Sequence, residues 1–461
     1  MELVSLPWLE LSVVLPLLGA ALLTRVRERD RAIRGATIVC AATLAVTLGA
    51  WITFAVADGS ESLHWTGSHS VYQREGLAID RLSAPLLPLA ALLYLTTVAT
   101  TIRTEQSTFS FGRTLVSESI LIATLTCRHP WIIIALLAVS LAPVVAELRA
   151  RKQNPRVFLL HQGISIALLC AGQLLANRGG GTGTAAIAGG LLAGGALIRS
   201  GICPFHCWMT DLFERASLGT SLLFVTPITG AYAVMRLAFP VAPPWVLQSI
   251  AFLSVFTAVY AAGMGLVQRD VRRFFVYVFL SHSSLVLAGI EAATPVSLAG
   301  ALFVWLSVGI SLLGFGLALR SVEARAGRIS LDLFHGLYEH TPFLAGMFLI
   351  TGLASIGFPG TIGFIGMELL VDGAVGVHSL MGLAVMLAAA MNGTAVVGAY
   401  FHIFTGARRS VTTSIGCRTS ERVAIVVILV LIIGGGLFPQ AGVTSRYEAA
   451  KTLLQRTVGA R

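Results

Sequence analysis

An apolar, glycine-rich run from Ala185 to Ile198 ends in Arg199-Ser-Gly-Ile-Cys-Pro-Phe-His-Cys-Trp-Met-Thr-Asp211. The run is long enough to enter a bilayer but too short to cross it. Arg199, Gly201, Pro204 and His206 then follow in quick succession. Hydrocarbon tolerates neither bare backbone nor an unpaired charge, so a helix broken here must be buried in protein or line a wet cavity. A second break, Gly357-Phe-Pro-Gly360, interrupts another apolar run. Two broken helices in corresponding halves of a chain point to an ion or substrate path between them.

The rest of the chain fits that constraint. Of 461 residues, 56% are hydrophobic and 12% charged, and apolar runs of about 20 residues recur from end to end. The composition excludes a set of soluble domains and predicts an all-α polytopic membrane protein with about 14 transmembrane helices, the seventh and twelfth broken. The whole chain, residues 1–461, reads as a single membrane domain. Helices 1–3 occupy 1–108 and a first five-helix unit occupies 109–240. A second unit occupies 245–405, and the last helix and tail 420–461. The N-terminus carries no basic segment or cleavage site and reads as the first span.

The net charge of +10 does not indicate nucleic acid, because the basic residues sit mostly in short loops. The segments Arg25–Arg34, Arg149–Arg156, Arg269–Arg273, Arg320–Arg328 and Arg408–Arg422 fall on one side of a 14-span chain. By the positive-inside rule that side is cytoplasmic, and both termini face outward. The loops 58–73, 178–184, 240–244 and 291–295 on the other side are poorer in arginine. The basic tail Arg446–Arg461 reads as an exposed amphipathic helix. Only Lys152 and Lys451 are lysines, and neither lies inside a span.

Polar residues inside spans are the candidate site. Glu118, in the middle of the fourth span, reads as a gate or relay group or as half of a static ion pair, with Arg199 the expected partner. Arg199 itself is a fixed cation, since a guanidinium does not release its proton. His282, in the tenth span, suits a relay or a packing role. His206 reads as tying down the broken backbone. Glu368 lies beyond the second break and is the more central of its two acids, Asp372 being the other. Asn392 is a hydrogen-bonding element of the same path. Cys203-Pro-Phe-His-Cys207 cannot easily supply tetrahedral metal geometry, and no second ligand pair follows. No cofactor motif, metal site or catalytic site of its own is expected, and the six scattered cysteines imply no disulfide framework.

Four stretches carry a resemblance. They are Leu77-Ala-Ile-Asp-Arg-Leu-Ser-Ala84, Leu197-Ile-Arg-Ser-Gly-Ile-Cys-Pro-Phe-His-Cys-Trp208, Leu266-Val-Gln-Arg-Asp-Val-Arg-Arg273 and Leu353-Ala-Ser-Ile-Gly-Phe-Pro-Gly-Thr-Ile-Gly-Phe364. With them the chain resembles the antiporter-like membrane subunits of respiratory complex I, Mrp-type cation/proton antiporters and the membrane subunit of inorganic-carbon uptake complexes. The resemblance implies 14 helices in two inverted five-helix units. It also implies proton translocation coupled to a partner in a hetero-oligomeric complex of the bacterial inner membrane, with a partner on the cytoplasmic face and no nucleic acid. Membership of a carbon dioxide or bicarbonate uptake complex, or a non-conducting scaffold, is the alternative. The departures are specific. The family's broken-helix lysine falls on Arg199, and its fifth-helix glutamate falls around Ala138–Ser140, where there is no acid. Its eleventh-helix lysine falls near Ile310–Ser311, and the lysine of its Asp-Ile-Lys-Arg motif falls on Arg272.

Overall fold

A computed structural model describes residues 7–26, 28–56, 77–101, 109–292, 294–406 and 418–459. The loop 58–73, residues 408–417 of an arginine-rich loop, and the start of the first span lie outside the described residues. The helices are α1 Trp8–Leu23, α2 Arg29–Val56, α3 Leu86–Ala99, α4 Phe111–Thr126, α5 Pro130–Val139, α6 Leu141–Ala150 and α7 Arg156–Arg178. Then come α8 Thr182–Ser200, α9 Cys207–Arg215, α10 Leu218–Val225, α11 Thr229–Ala233 with a π-helical turn Val234–Ala238, and α12 Pro244–Leu266. The chain continues with α13 Val271–Glu291, α14 Pro295–Ala326, α15 Pro342–Ser355, α16 Ile362–Val377, α17 Ser379–Phe404, α18 Thr419–Leu437 and α19 Gln440–Gly459. Among the described residues nine segments are long and apolar enough to cross a membrane, with α5–α6 and α10 to the π-turn each forming one. The helices α1, α3 and α15 are shorter and apolar.

The two expected breaks are present. Helix α8 closes at Gly201, whose φ of +77° is left-handed, and the Gly201 and Ile202 N–H groups return to Ile198 and Leu197. The Ile198 carbonyl also accepts from Trp208 Nε1 at 3.0 Å, and the Cys203 N–H reaches Thr257 at 3.2 Å. Protein groups therefore satisfy backbone that lipid could not. Between α15 and α16 the chain turns through Gly357 and Gly360, both at positive φ.

Two further interruptions add to these. Pro143 lacks the N–H that would close the turn at Val139, and α5 gives way to α6 at Ser140. Pro227 separates α10 from α11, with Ile228 in the left-handed region at φ +48°.

Helix α13 is the axis, buried at every residue from Phe274 to Glu291. It packs between α12, α14 and α17. Lipid gives no hydrophobic drive for helices to associate, so close crossings rest on small residues. A Cβ on Gly300 would stand 2.6 Å from Leu370 N, and one on Gly373 would stand 2.4 Å from Ser297 Cα, so α14 and α16 touch backbone to backbone. Gly189 meets Ala242 in the same way. At the far end, Arg325 of α14 donates to Glu421 of α18 at 2.5 and 3.1 Å, and Glu421 is fully buried.

The Gly373→Val variant is expected to force α14 and α16 apart and to cost about 1–3 kcal/mol. Thermal unfolding in detergent is the measurement; an unchanged midpoint would show that the crossing is loose.

Candidate functional site

Arg199 lies in the last turn of α8, 4% exposed. Its guanidinium touches three other elements. Nε donates to Thr229 Oγ1 at 2.8 Å, Nη2 to Ser140 Oγ at 2.9 Å, and Nη1 to Gln162 Oε1 at 3.2 Å and the Leu137 carbonyl at 3.4 Å. Phe224 lies face-on to the cation at 5.0 Å. All four oxygens are neutral. Two of the contacts exist because of the extra interruptions: Ser140 stands between α5 and α6, and Thr229 opens α11 after Pro227. Both places present side-chain or carbonyl oxygen to a charge buried away from bulk solvent.

The expected pairing of Arg199 with Glu118 does not form. Glu118 sits on α4, fully buried, and accepts from Cys40 of α2 at 3.2 Å, while its Oε1 has no partner. The reason is direction: the Glu118 side chain turns to Cys40 of α2, whereas Arg199 turns to Leu137, Ser140, Gln162 and Thr229. Ser140, at the place where the family's glutamate falls, holds Arg199 with a hydroxyl instead.

Asn392 reaches α13 at Ser281, the residue before His282. Asn392 Nδ2 donates to Ser281 Oγ at 2.8 Å, and Ser281 in turn donates to the Ala258 carbonyl. His282 Nδ1 lies 2.7 Å from the Val278 carbonyl. A carbonyl only accepts, so Nδ1 carries the proton and Nε2 carries the lone pair. Nε2 has no partner, and the ring approaches the Ser355 backbone at the second break. A cavity of about 10 Å³, enough for one water at most, is lined by Arg199, Thr229 and, from α13, Ser283. It joins the Arg199 cage to the helix that bears His282.

The remaining candidates fall outside this core. His206 caps the turn before α9 and stacks edge-on with Tyr260 at 5.5 Å and near Tyr277 at 5.9 Å. Glu368 and Asp372, one turn apart on α16, are both exposed on its outward face, so Glu368 is not the central acid expected. The exposed reading of the tail is also corrected: α19 buries Arg446, Ala449 and Ala450.

Several groups escaped the sequence reading. Gln162 lies inside α7 beside His161 and could have been noticed as a buried amide. Glu291 is fully buried at the end of α13, accepts from Ser254 at 2.8 Å, and has an unpartnered Oε1. Asp80 forms a bidentate pair with Arg236 at 2.7 and 2.9 Å. Arg272, where a family lysine falls, pairs with Glu323 at 2.7 Å and donates to the Phe213 and Ala216 carbonyls closing α9.

The fold and the caged cation define a class: helical membrane proteins whose broken helices bring buried charge to mid-bundle. The family model described as NADH:quinone oxidoreductase/Mrp antiporter, transmembrane, matches residues 158–393, over half of the chain, and the chain belongs to that family. It is 27% identical over 252 residues to NADH-quinone oxidoreductase subunit M of Rickettsia conorii (strain ATCC VR-613 / Malish 7), covering 53% of this chain and 51% of the relative. The chain thus spans about half the length of that relative. With NAD(P)H-quinone oxidoreductase chain 4 of Synechococcus sp. (strain WH7803) it shares 25% identity over 505 residues, 98% of this chain and 90% of the relative. Its fold is that of a chain of respiratory complex I from Thermus thermophilus, with TM-score 0.85, 20% identity, and 97% and 99% of the two chains covered. A chain of the Mrp complex from Dietzia sp. DQ12-45-1b has TM-score 0.84 and 18% identity, with 99% and 100% covered.

Arg199→Lys tests the cage. An ammonium keeps the charge but cannot span Thr229, Ser140 and Gln162 together. The expected loss is about 1–3 kcal/mol of stability, read as a lower unfolding midpoint; a midpoint equal to the wild type would mean the charge alone matters.

Proposed function

We propose that this chain is a proton-translocating, antiporter-like subunit of a membrane complex. The observation that carries the reading is a set of buried polar atoms without protein partners, among them Gln162 Nε2, His282 Nε2, Ser311 Oγ, Asn392 Oδ1, Glu118 Oε1 and Glu291 Oε1. Buried polar atoms are normally satisfied, and those that protein leaves open are served by water. A file of water through these atoms gives a proton a route at mid-membrane. His282 takes the proton at Nε2 and returns it to water, Nδ1 staying fixed on Val278. Asn392 orients the approach through Ser281. Arg199 carries no proton; its fixed charge opposes a second cation nearby and sets the field in which His282 titrates. Glu118 is the gating carboxylate on the α4 side. Glu368, on the outward face of α16, joins the path where a neighbouring subunit covers it.

The finer architecture follows the same reading. Fourteen spans form two inverted five-helix units, 109–240 and 245–405, each with its broken helix fourth. The arginine-rich loops face the cytoplasm of a bacterial cell, the termini face outward, and the other subunits of a hetero-oligomeric complex couple the flow to their own chemistry, one of them docking on the cytoplasmic face. One observation favours a second reading, a platform that anchors a partner without conducting, as in an inorganic-carbon uptake complex or a scaffold. A permanent cation stands at Arg199 and a hydroxyl at Ser311, where the family places lysines.

Proton flux in reconstituted vesicles separates the two. His282→Ala and Glu118→Gln are expected to bring flux down to that of protein-free vesicles, and Glu368→Gln in the isolated subunit to leave it unchanged. Equal flux in all variants removes the relay. A membrane-impermeant maleimide checks orientation: Lys152→Cys is expected to label only from the cytoplasmic side, and labelling from outside would invert the topology.

A further inference from the structure

A cavity whose lining includes none of the candidate path residues lies where α2 stops and the turn before α3 begins. It measures about 480 Å³ and is bounded by Trp51, Phe54 and Ala55 of α2, Arg81 before α3, and Thr444, Ser445 and Arg446 of α19, among other groups. Arg446 is the unusual member. It is 3% exposed, and its one hydrogen bond among the described residues runs from Nη2 to Ser445 Oγ at 3.0 Å. A guanidinium has five N–H donors and does not deprotonate, so most of this one is directed at the cavity without an acceptor.

The nearby carboxylates do not serve it. Asp80 lies within electrostatic range of Arg446 but is held by Arg236 and, at 3.6 Å, by Arg128. Glu448 also lines the cavity and pairs with Arg81 at 3.5 Å. Among the described residues the charged groups lining the cavity are Arg81, Arg446 and Glu448, with hydroxyls from Thr444 and Ser445. An anion with several acceptor oxygens matches that donor set, and phosphate matches it best.

The walls select the kind of phosphate. Trp51 and Ala55 are exposed on α2, as are the adjoining Ile52 and Val56, so the cavity opens onto an apolar face that meets lipid. Aromatic residues at a helix end sit at headgroup level. We propose that this cavity binds the phosphate headgroup of an anionic phospholipid, with Arg446 as the principal ligand and the acyl chains lying along α2 past Trp51. The lipid bridges α2 and α19, and so fastens the C-terminal helix to the bundle.

The test uses the full chain in nanodiscs of phosphatidylcholine, with phosphatidylglycerol added in steps. Lipid retention by native mass spectrometry and the unfolding midpoint are the readouts. Phosphatidylglycerol is expected to be retained and to raise the midpoint, whereas inorganic phosphate at matching concentration leaves it in place. Arg446→Gln is expected to weaken retention about tenfold or more, with Arg446→Lys restoring part of it. Glu448→Gln, which removes the repelling carboxylate without touching a buried charge, is expected to tighten it. Equal retention of phosphatidylcholine, a rise with inorganic phosphate as large as with the lipid, or no change in Glu448→Gln together with no preferential retention overturns the proposal.

Discussion

The guanidinium of Arg199 governs the first half of this molecule. A permanent charge deep in an oily interior needs oxygen on all its donors. Here the oxygen comes from Thr229, Ser140, Gln162 and the Leu137 carbonyl, and from no acid. Those groups can converge only because α5–α6 and α10–α11 are interrupted where the arginine arrives. One charge thus accounts for three irregular helices that would otherwise each be a cost. The absence of a carboxylate in the cage changes its character: the charge is screened by dipoles, and its field reaches further than that of an ion pair.

The second half is organised differently. Its axis, α13, is buried from Phe274 to Glu291, and Ser281 and His282 within it are bonded to backbone carbonyls. Asn392 leads through Ser281 to the Ala258 carbonyl, and the next residue, His282, is held separately on the Val278 carbonyl with its ring near the Ser355 backbone. The small cavity beside Arg199 reaches α13 at Phe279 and Ser283. Charge elsewhere in the molecule is spent on architecture. Arg272 with Glu323 locks α9 to α13 and α14, and Arg325 with Glu421 fastens α18.

How much of this could be read in advance depends on the kind of signal. The membrane-spanning fold was legible because hydrocarbon permits few alternatives, and the breaks at Gly201 and Gly357 were legible because glycine and proline interrupt an apolar run visibly. Pro143 and Pro227 carry the same signal more faintly, since the apolar run continues past them. Partners were harder. Opposite charges suggest a pair, yet the Glu118 and Arg199 side chains turn to different neighbours, and helix packing is decided by small-residue contacts such as Gly300 with Leu370 that no charge pattern reveals. For the same reason Glu368 read as central: its position along α16 is mid-helix, and only the packing of α16 against α14 and α17 shows which face turns outward.

Direct observation of water is the decisive measurement for the central claim. An electron cryo-microscopy map of the protein in lipid, at a resolution that shows ordered solvent, should place water within hydrogen-bond distance of Gln162 Nε2, His282 Nε2 and Asn392 Oδ1, linked toward the cavity beside Arg199. Tightly packed side chains around those atoms, with no solvent density between them, would contradict a proton route through this bundle.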